Sequence, residues 1–191
     1  MHGCTNAKMQ KRISRVVCIC ACAFVRLCIL AFATQPAVAE ETIDRVLALV
    51  AGQPVTLTDV TATRDLGLVP VGVTADPIRT VLSTLIDRAL ILAEVDRYAP
   101  PEPSAAMVDR EVEQVRARFP SPQAFDLTLA RSGIGVGHLR QTLRDDLRIR
   151  AYLDQRFAAP GAEQPRQALV DEWVAGLRRR ADIIDLYLPG R

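Results

Sequence analysis

The chain has 191 residues, with 24 Lys and Arg side chains, 22 Asp and Glu side chains and five cysteines. The first 28 residues hold all five cysteines and five of the cations, and no acidic residue precedes Glu40. From Glu40 onward, 19 cations face 22 acids, a net charge of −3, and there is no cysteine. This composition argues against a disulfide framework, Cys-ligated zinc, thiol catalysis or a basic nucleic-acid-binding surface in that part of the chain.

The N-terminal segment has the layout of a secretory signal peptide. Several cations precede an almost wholly apolar run over residues 16–33, and a small-x-small pattern, Ala-Val-Ala, ends at Ala39. We predict that 1–39 is a signal peptide cleaved before Glu40, so that the protein is periplasmic or otherwise exported. A retained membrane anchor is the alternative, because the run has about the length of a spanning helix. Arg26 within the run disfavours that insertion.

Residues 43–57 predict a β-hairpin. Two short β-prone runs, 46–50 and 55–57, flank the sequence Ala-Gly-Gln-Pro, in which Gly52 provides a permissive turn backbone. Pro54 lacks an N–H group, so we expect it at a sheet edge or at the start of a strand.

Residues 58–157 predict a helical core and a helical arm, because apolar residues recur at helical spacing between capping signals. The predicted helix starts are Thr58, Asp76-Pro77, Ser104, Ser121-Pro122 and Val136. Four of these helices are expected to end near Leu66, Tyr98, Arg131 and Phe157. The helix from Asp76 has a wide apolar stripe, which predicts a central place in the core.

The rest of the chain predicts a linker, a further helix and a last β-prone segment. Residues 158–165 form a linker by their Ala, Pro and Gly content, and 166–191 contain an amphipathic helix followed by the β-prone run 183–188. A two-stranded hairpin alone is marginally stable, so we expect this run to pair with the opening hairpin. The predicted fold is mostly α, a single domain over 40–191 with a small β-hairpin paired with a C-terminal strand.

No residue pattern in the chain indicates a catalytic, metal or cofactor site. The glycines between Gly133 and Gly137 lack the preceding strand that a dinucleotide loop needs. His138 is the one histidine after Glu40, and no nucleophile elbow, second histidine or cysteine accompanies it. The pair Asp145-Asp146 lies among arginines, which predicts a solvated, salt-bridged helix face.

Several strings resemble one known family. The sequence V-L-A-L-V-A-G-Q-P-V-T-L-T-D-V over 46–60 is similar to an opening hairpin of the form V-V-N-G-x-x-I-T-x-S-D-V, and L-I-D-R-A-L-I over 85–91 to an L-I-x-x-x-L-I helix. L-R-Q-T-L-R over 139–144 and the terminal segment 173–188 match in the same order. The chain thus resembles the N-terminal chaperone module of SurA-type periplasmic chaperones and parvulin-like isomerases. It departs from that pattern at Ala51, where Asn is usual, and at Gly135, where a better helix cap is usual.

The resemblance implies an exported chaperone-like protein that binds unfolded or extended segments of outer-membrane and other envelope proteins. In the family, one or two parvulin isomerase domains usually lie between the long helix and the terminal helix. Here that position holds only 158–165, so prolyl isomerase activity is not implied. A dedicated assembly or structural subunit for one envelope partner stays an alternative, as does an enzyme of the isomerase family.

The expected binding surface is an apolar groove between the long-helix core and the arm over 104–131. Phe119 and Phe125 are the candidate peptide-binding residues in that groove, with ordinary packing inside the arm as the alternative. We expect no catalytic residue, metal, cofactor or nucleic-acid partner, and no stable membrane span after cleavage.

Overall fold

The computed structural model describes residues 44–158 and 165–189. Its elements in chain order are β1 (Val46–Val50), β2 (Gln53–Thr56), α1 (Leu57–Asp65), α2 (Pro77–Tyr98), α3 (Ala105–Arg116), α4 (Pro122–Arg131), α5 (Val136–Arg156), α6 (Arg166–Arg180) and β3 (Ile183–Asp185). The predicted fold class is confirmed, since the chain is mostly helical with a small three-stranded antiparallel sheet. The predicted signal peptide and most of the predicted linker lie outside the described residues. Within the described ranges, no helix is both long and apolar enough to cross a bilayer.

The sheet joins the two ends of the described chain. Its order is β2-β1-β3, and β1 is antiparallel to both neighbours. Val50 pairs with Gln53 on one side and with Ile183 on the other. The Leu186 N–H extends this contact by donating to the Leu47 carbonyl at 2.9 Å. The predicted pairing of the terminal segment with the hairpin is therefore confirmed, and Pro54 lies on the edge strand β2, as expected.

The two-residue turn between β1 and β2 holds an alanine in a left-handed conformation. Ala51 has φ +49° and Gly52 has φ +81°. Two positive φ values in a two-residue loop are typical of the primed hairpin turns, which favour Asn-Gly because other side chains clash with the backbone there. Ala51 is consequently strained at the position where the resemblance leads one to expect asparagine.

We predict that Ala51→Asn raises the free energy of unfolding by about 0.5–1 kcal/mol, because asparagine tolerates this region better than alanine. Urea unfolding followed by circular dichroism measures the change. The same substitution at Ala175, an exposed residue inside α6, is the control and should lower stability, since asparagine is the poorer helix former. A less stable Ala51→Asn protein would show that the turn is not strained.

Local capping signals start three helices where the sequence predicts them. The side chains of Asp76, Ser104 and Ser121 each accept a hydrogen bond from the backbone N–H three residues later, at 2.9, 3.3 and 3.1 Å. These bonds satisfy donors that a helix N-terminus otherwise leaves unpaired. The fifth start is also as predicted: Val136 opens α5, with Gly135 as an N-cap that provides no side-chain hydrogen bond.

The predicted cap of the first helix was wrong by two residues. Thr56, not Thr58, is the N-cap of α1. Its hydroxyl accepts from the Asp59 N–H at 3.2 Å, while the Asp59 carboxylate accepts from the Thr56 N–H at 3.0 Å. This reciprocal capping box satisfies two backbone donors, whereas a cap at Thr58 would satisfy fewer. It also fixes the Asp59 side chain at the start of α1.

Two hydrophobic clusters form the core, and α2 lies centrally in the first. That helix contacts β1, β2, α1, α5 and α6. The buried residues of the first cluster are Leu47, Ala48, Val50, Val55, Val60, Val81, Leu82, Ile86, Leu90, Ile91, Val95, Tyr152 and Leu177. The second cluster joins α3 and α4 to the first half of α5, through Leu66, Val112, Val115, Phe125, Leu129, Leu139 and Leu143.

Candidate functional site

An open cleft of about 780 Å³ lies along one face of α2. The hairpin and α1 form one wall, and the first half of α5 forms the other. The floor comes from four α2 residues with helical spacing, whose side chains are half-buried: Leu85, Ala89, Leu92 and Ala93. These residues leave aliphatic surface partly open to solvent, on the helix that also carries much of the first core cluster.

Polar side chains line the cleft around this floor. They are Gln53 from β2, Asp59 and Thr63 from α1, Arg88 and Asp96 from α2, and His138, Gln141, Thr142 and Asp145 from α5. The Arg88 guanidinium is held in place by α5, because its Nε atom lies 2.6 Å from Asp146 and its Nη2 atom donates to the Thr142 carbonyl at 2.9 Å. Arg88 thus ties α2 to α5 along the wall of the cleft.

Asp145 is buried, contrary to the prediction of a solvated carboxylate pair. It is 9 % exposed, whereas its neighbour Asp146 is half-buried and forms an ion pair with Arg88 of α2. The Gln141 side chain donates to Asp145 Oδ1 at 3.0 Å, and guanidinium nitrogens of Arg148 and Arg88 lie 3.6 and 3.8 Å from the carboxylate. The prediction failed because α2, which is distant in sequence, covers this position of α5.

Burial raises the pKa of Asp145 above its ordinary value, and the attraction of Arg88 and Arg148 only partly offsets that effect. The ionised carboxylate is therefore less favourable in the folded chain than in the unfolded chain. By linkage, its contribution to stability is most favourable below the unfolded pKa and declines as the pH rises through the raised folded value.

We predict that Asp145→Asn is at least as stable as the parent chain at pH 7. Its stability relative to the parent chain should decrease as the pH falls below the ordinary aspartate pKa. Asparagine retains the shape and can still accept from Gln141 while it removes the buried charge. Urea midpoints measured between pH 3.5 and pH 7.5 test the prediction. Asp126→Asn, on the exposed side of α4, is the control and should show no such trend. If Asp145→Asn instead loses stability relative to the parent chain as the pH rises, the attraction of the two arginines outweighs the cost of burying the charge.

His138 lies in the first turn of α5, as the sequence indicates, and its side chain is half exposed. Its Nε2 atom is 3.5 Å from Asp59 Oδ1, so the two residues meet across the cleft from α5 and α1. In the described part of the chain, no group of three or more His, Cys, Asp or Glu side chains is placed to hold a metal ion. Gly133 and Gly135 lie in the connection between α4 and α5, where Gly133 adopts φ +73°, and Gly137 lies in the first turn of α5.

The two candidate binding residues lie away from this cleft. Phe125 is fully buried in the second cluster, and Phe119 is half-buried against it. Their rings pack edge to face with centroids 5.5 Å apart, and the Arg116 guanidinium lies 5.1 Å from the Phe125 ring centroid. Phe125 is therefore inaccessible to a ligand in this conformation, and a binding role for Phe119 stays a prediction.

The groove expected between the arm and the long helix is filled by side chains. Val112 of α3, Phe125 of α4 and Leu143 of α5 belong to one buried cluster. The sequence predicted an apolar groove beside the arm and gave no indication of the cleft along α2. The signal that could have found it is the wide apolar stripe of α2, part of which the other elements leave uncovered.

A scan against protein-family models gives no match, and a search of curated proteins gives none either. The likeness to SurA-type chaperones accordingly depends on the residue strings given above.

Proposed function

We propose that this protein is an exported chaperone-like protein that binds extended apolar segments of unfolded envelope proteins, outer-membrane proteins among them, and holds them from aggregating. The proposal assigns it neither prolyl isomerase activity nor any other enzymatic activity. The observation that carries the proposal is the open cleft with an aliphatic floor along α2. The residue strings that resemble SurA-type chaperones support the assignment of substrate class and export.

The cleft has the physical character that such binding requires. Apolar side chains such as Leu85 and Leu92 are only partly buried there, and transfer of apolar surface out of water is favourable whatever the sequence of the partner. Concave sites of about 300–1,000 Å³ with a largely apolar lining and a few polar groups are typical ligand sites. The volume of the cleft, about 780 Å³, falls in this range. A site of this kind would bind many different unfolded segments without consuming a nucleotide.

Aggregation assays test the proposal. Urea-unfolded outer-membrane protein and an unrelated unfolded protein are each diluted into buffer with the purified chain, and light scattering is recorded. We expect suppression of both at a few-fold molar excess. Suppression of one substrate only would favour the dedicated assembly subunit, and no suppression of either would contradict the proposal. Turnover of a prolyl peptide by the same preparation would contradict its non-enzymatic part.

A variant that fills the cleft links the activity to this site. Ala93 lines the floor but does not pack against the core cluster, so Ala93→Trp should occupy the cleft without disturbing the core. Ala106→Trp, on the exposed surface of α3, is the matched control. We expect loss of aggregation suppression for Ala93→Trp alone, with unchanged circular dichroism for both. Equal activity of the two variants would place the binding surface elsewhere.

A further inference from the structure

The two edges of the sheet are protected to different degrees. On the edge strand β2, Pro54 has no backbone N–H group, and the Thr56 N–H already donates to the Asp59 carboxylate at 3.0 Å. Proline on an edge strand is one way in which native sheets discourage the addition of a further strand. The opposite edge strand, β3, contains no proline, and its one charged side chain, Asp185, pairs with Arg79 of α2. The open side of β3 is therefore the edge at which a further strand can add.

The register of β3 leaves two residues with unpaired backbone groups on that open side. In antiparallel pairs, residues that bond to the neighbouring strand alternate with residues whose N–H and C=O groups point away from it. The Asp182 carbonyl accepts from an N–H of the hairpin turn, and the Leu186 N–H donates to the Leu47 carbonyl, both at 2.9 Å. Ile183 and Asp185 have the opposite parity, so their backbone groups point away from β1. Their N–H groups have no hydrogen-bond partner among the described residues.

The segment that contains β3 is apolar on both faces. Ile183 and Tyr187 pack against the first core cluster, whereas Ile184, Leu186 and Leu188 are 47, 49 and 75 % exposed. Residues at every second position share one face of an extended chain. An antiparallel sheet with one solvated face usually carries polar residues on that face. The exposed row is thus apolar surface at the same strand whose edge is open.

We propose, on the basis of the function proposed above, that β3 binds an extended segment of an unfolded envelope protein as an additional strand and selects segments in which apolar and polar residues alternate. The backbone of the segment bonds to the free groups of Ile183 and Asp185, and its apolar side chains pack beside Ile184 and Leu186. In strand addition, main-chain hydrogen bonds give affinity and alternate side chains give specificity. The strands of outer-membrane barrels have this alternation, so the edge fits the proposed class of substrate.

The charges of the edge favour such a segment over a second copy of the chain. Residues 182–188 carry two carboxylates, Asp182 and Asp185, and no cation. The antiparallel self-pairing that uses all of the free backbone groups places Asp185 of each copy opposite Ile183 of the other. A shift of that register by two residues places the two Asp185 carboxylates opposite each other, which is destabilising. A segment without acidic residues avoids both mismatches.

Three fluorescein-labelled peptides with the same side chains test the proposal, and fluorescence anisotropy follows their binding to the purified chain. The first peptide alternates Val or Leu with Thr, the second has the same residues in an order without alternation, and the third is the first with methylated backbone nitrogens. We expect the first to bind about tenfold more tightly than either of the others, because each change removes part of the strand contact. Equal affinity of all three peptides would overturn the proposal.

Variants assign the preference to the β3 edge. The double substitution Ile184→Lys and Leu186→Lys places charges in the exposed row and should bring the affinity ratio of the first two peptides close to one. Leu127→Lys, at an exposed apolar position of α4, is the control and should keep the parent ratio, as should the cleft variant Ala93→Trp. An unchanged ratio in the double variant would overturn the proposal. If that variant fails to fold, the three peptides on the parent chain still decide the question.

Two further measurements separate this proposal from its rivals. Light scattering after size-exclusion chromatography should show a monomeric parent chain. A dimer that the double variant converts to a monomer would assign the edge to a second copy and overturn the proposal. Aggregation suppression by a chain that shows no preference among the peptides would overturn the strand addition and leave the proposed function standing. Absence of both peptide binding and aggregation suppression would overturn the two together.

Discussion

Deletion of residues 166–191 is expected to leave a chain with no cooperative unfolding transition. The deletion removes α6 and β3, and therefore one of the two neighbours of the central strand β1. The remaining two-stranded hairpin would keep its edge unpaired, and such hairpins are marginal in water. Native domains are stable by only about 5–15 kcal/mol. The loss of a whole packed helix and a strand should therefore cost more than the entire free energy of unfolding.

Specific contacts of the deleted segment explain the size of this effect. Leu177 is buried in the first core cluster, and its removal alone should cost about 2–5 kcal/mol. The Arg178 guanidinium binds Asp87 and also donates to the Ser83 carbonyl at 2.8 Å, which ties α6 to α2. Tyr187 follows β3 and donates its hydroxyl proton to the Asp76 carboxylate at 3.0 Å, next to the start of α2.

Thermal melts recorded by far-ultraviolet circular dichroism measure the effect. Two point variants separate the contribution of packing from that of chain length. Leu177→Ala should destabilise by about 2–5 kcal/mol, whereas Leu188→Ala, at a position that is 75 % exposed, should change stability by less than about 0.5 kcal/mol. A truncated chain that melts cooperatively within a few degrees of the parent would show that the terminal segment is dispensable for folding.

The secondary structure follows largely from local signals in the sequence. Asp76-Pro77 and Ser121-Pro122 place a side-chain acceptor before a residue already restricted to helical φ, and both start helices as predicted. The start of α1 differs from the prediction because the capping box of Thr56 and Asp59 begins the helix two residues before Thr58. The pairing of β3 with β1 was predictable from the general instability of an isolated hairpin.

The candidate site could not be predicted in the same way. The cleft brings together residues as distant in sequence as Gln53 and Asp145, and the packing of α5 on α2 decides which faces stay open. Helical spacing marks Leu139, Leu143 and Leu147 as the buried stripe of α5, but it does not show that a neighbouring helix also covers Asp145. For Phe125, the sequence indicates an apolar surface, and only the tertiary packing shows that it faces inward.

The second large expected effect is that of Phe125→Ala, which should reduce the free energy of unfolding by about 3–5 kcal/mol. The ring is fully buried in the second cluster and packs edge to face against Phe119, so truncation leaves a cavity that rigid helices fill poorly. Phe119→Ala should cost less, because that side chain is only half-buried. Urea unfolding of the two variants at the same pH measures the difference.

A conservative substitution separates packing from binding at this position. Phe125→Leu keeps most of the apolar volume, so it should recover much of the stability that Phe125→Ala loses. If Phe125 acts through packing, the Leu variant should suppress aggregation as the parent chain does, since the α2 cleft lies elsewhere. If Phe125 instead contacts substrate after the arm opens, the Leu variant should be stable and yet lose affinity for unfolded segments. That outcome would shift the binding surface from the α2 cleft to the arm.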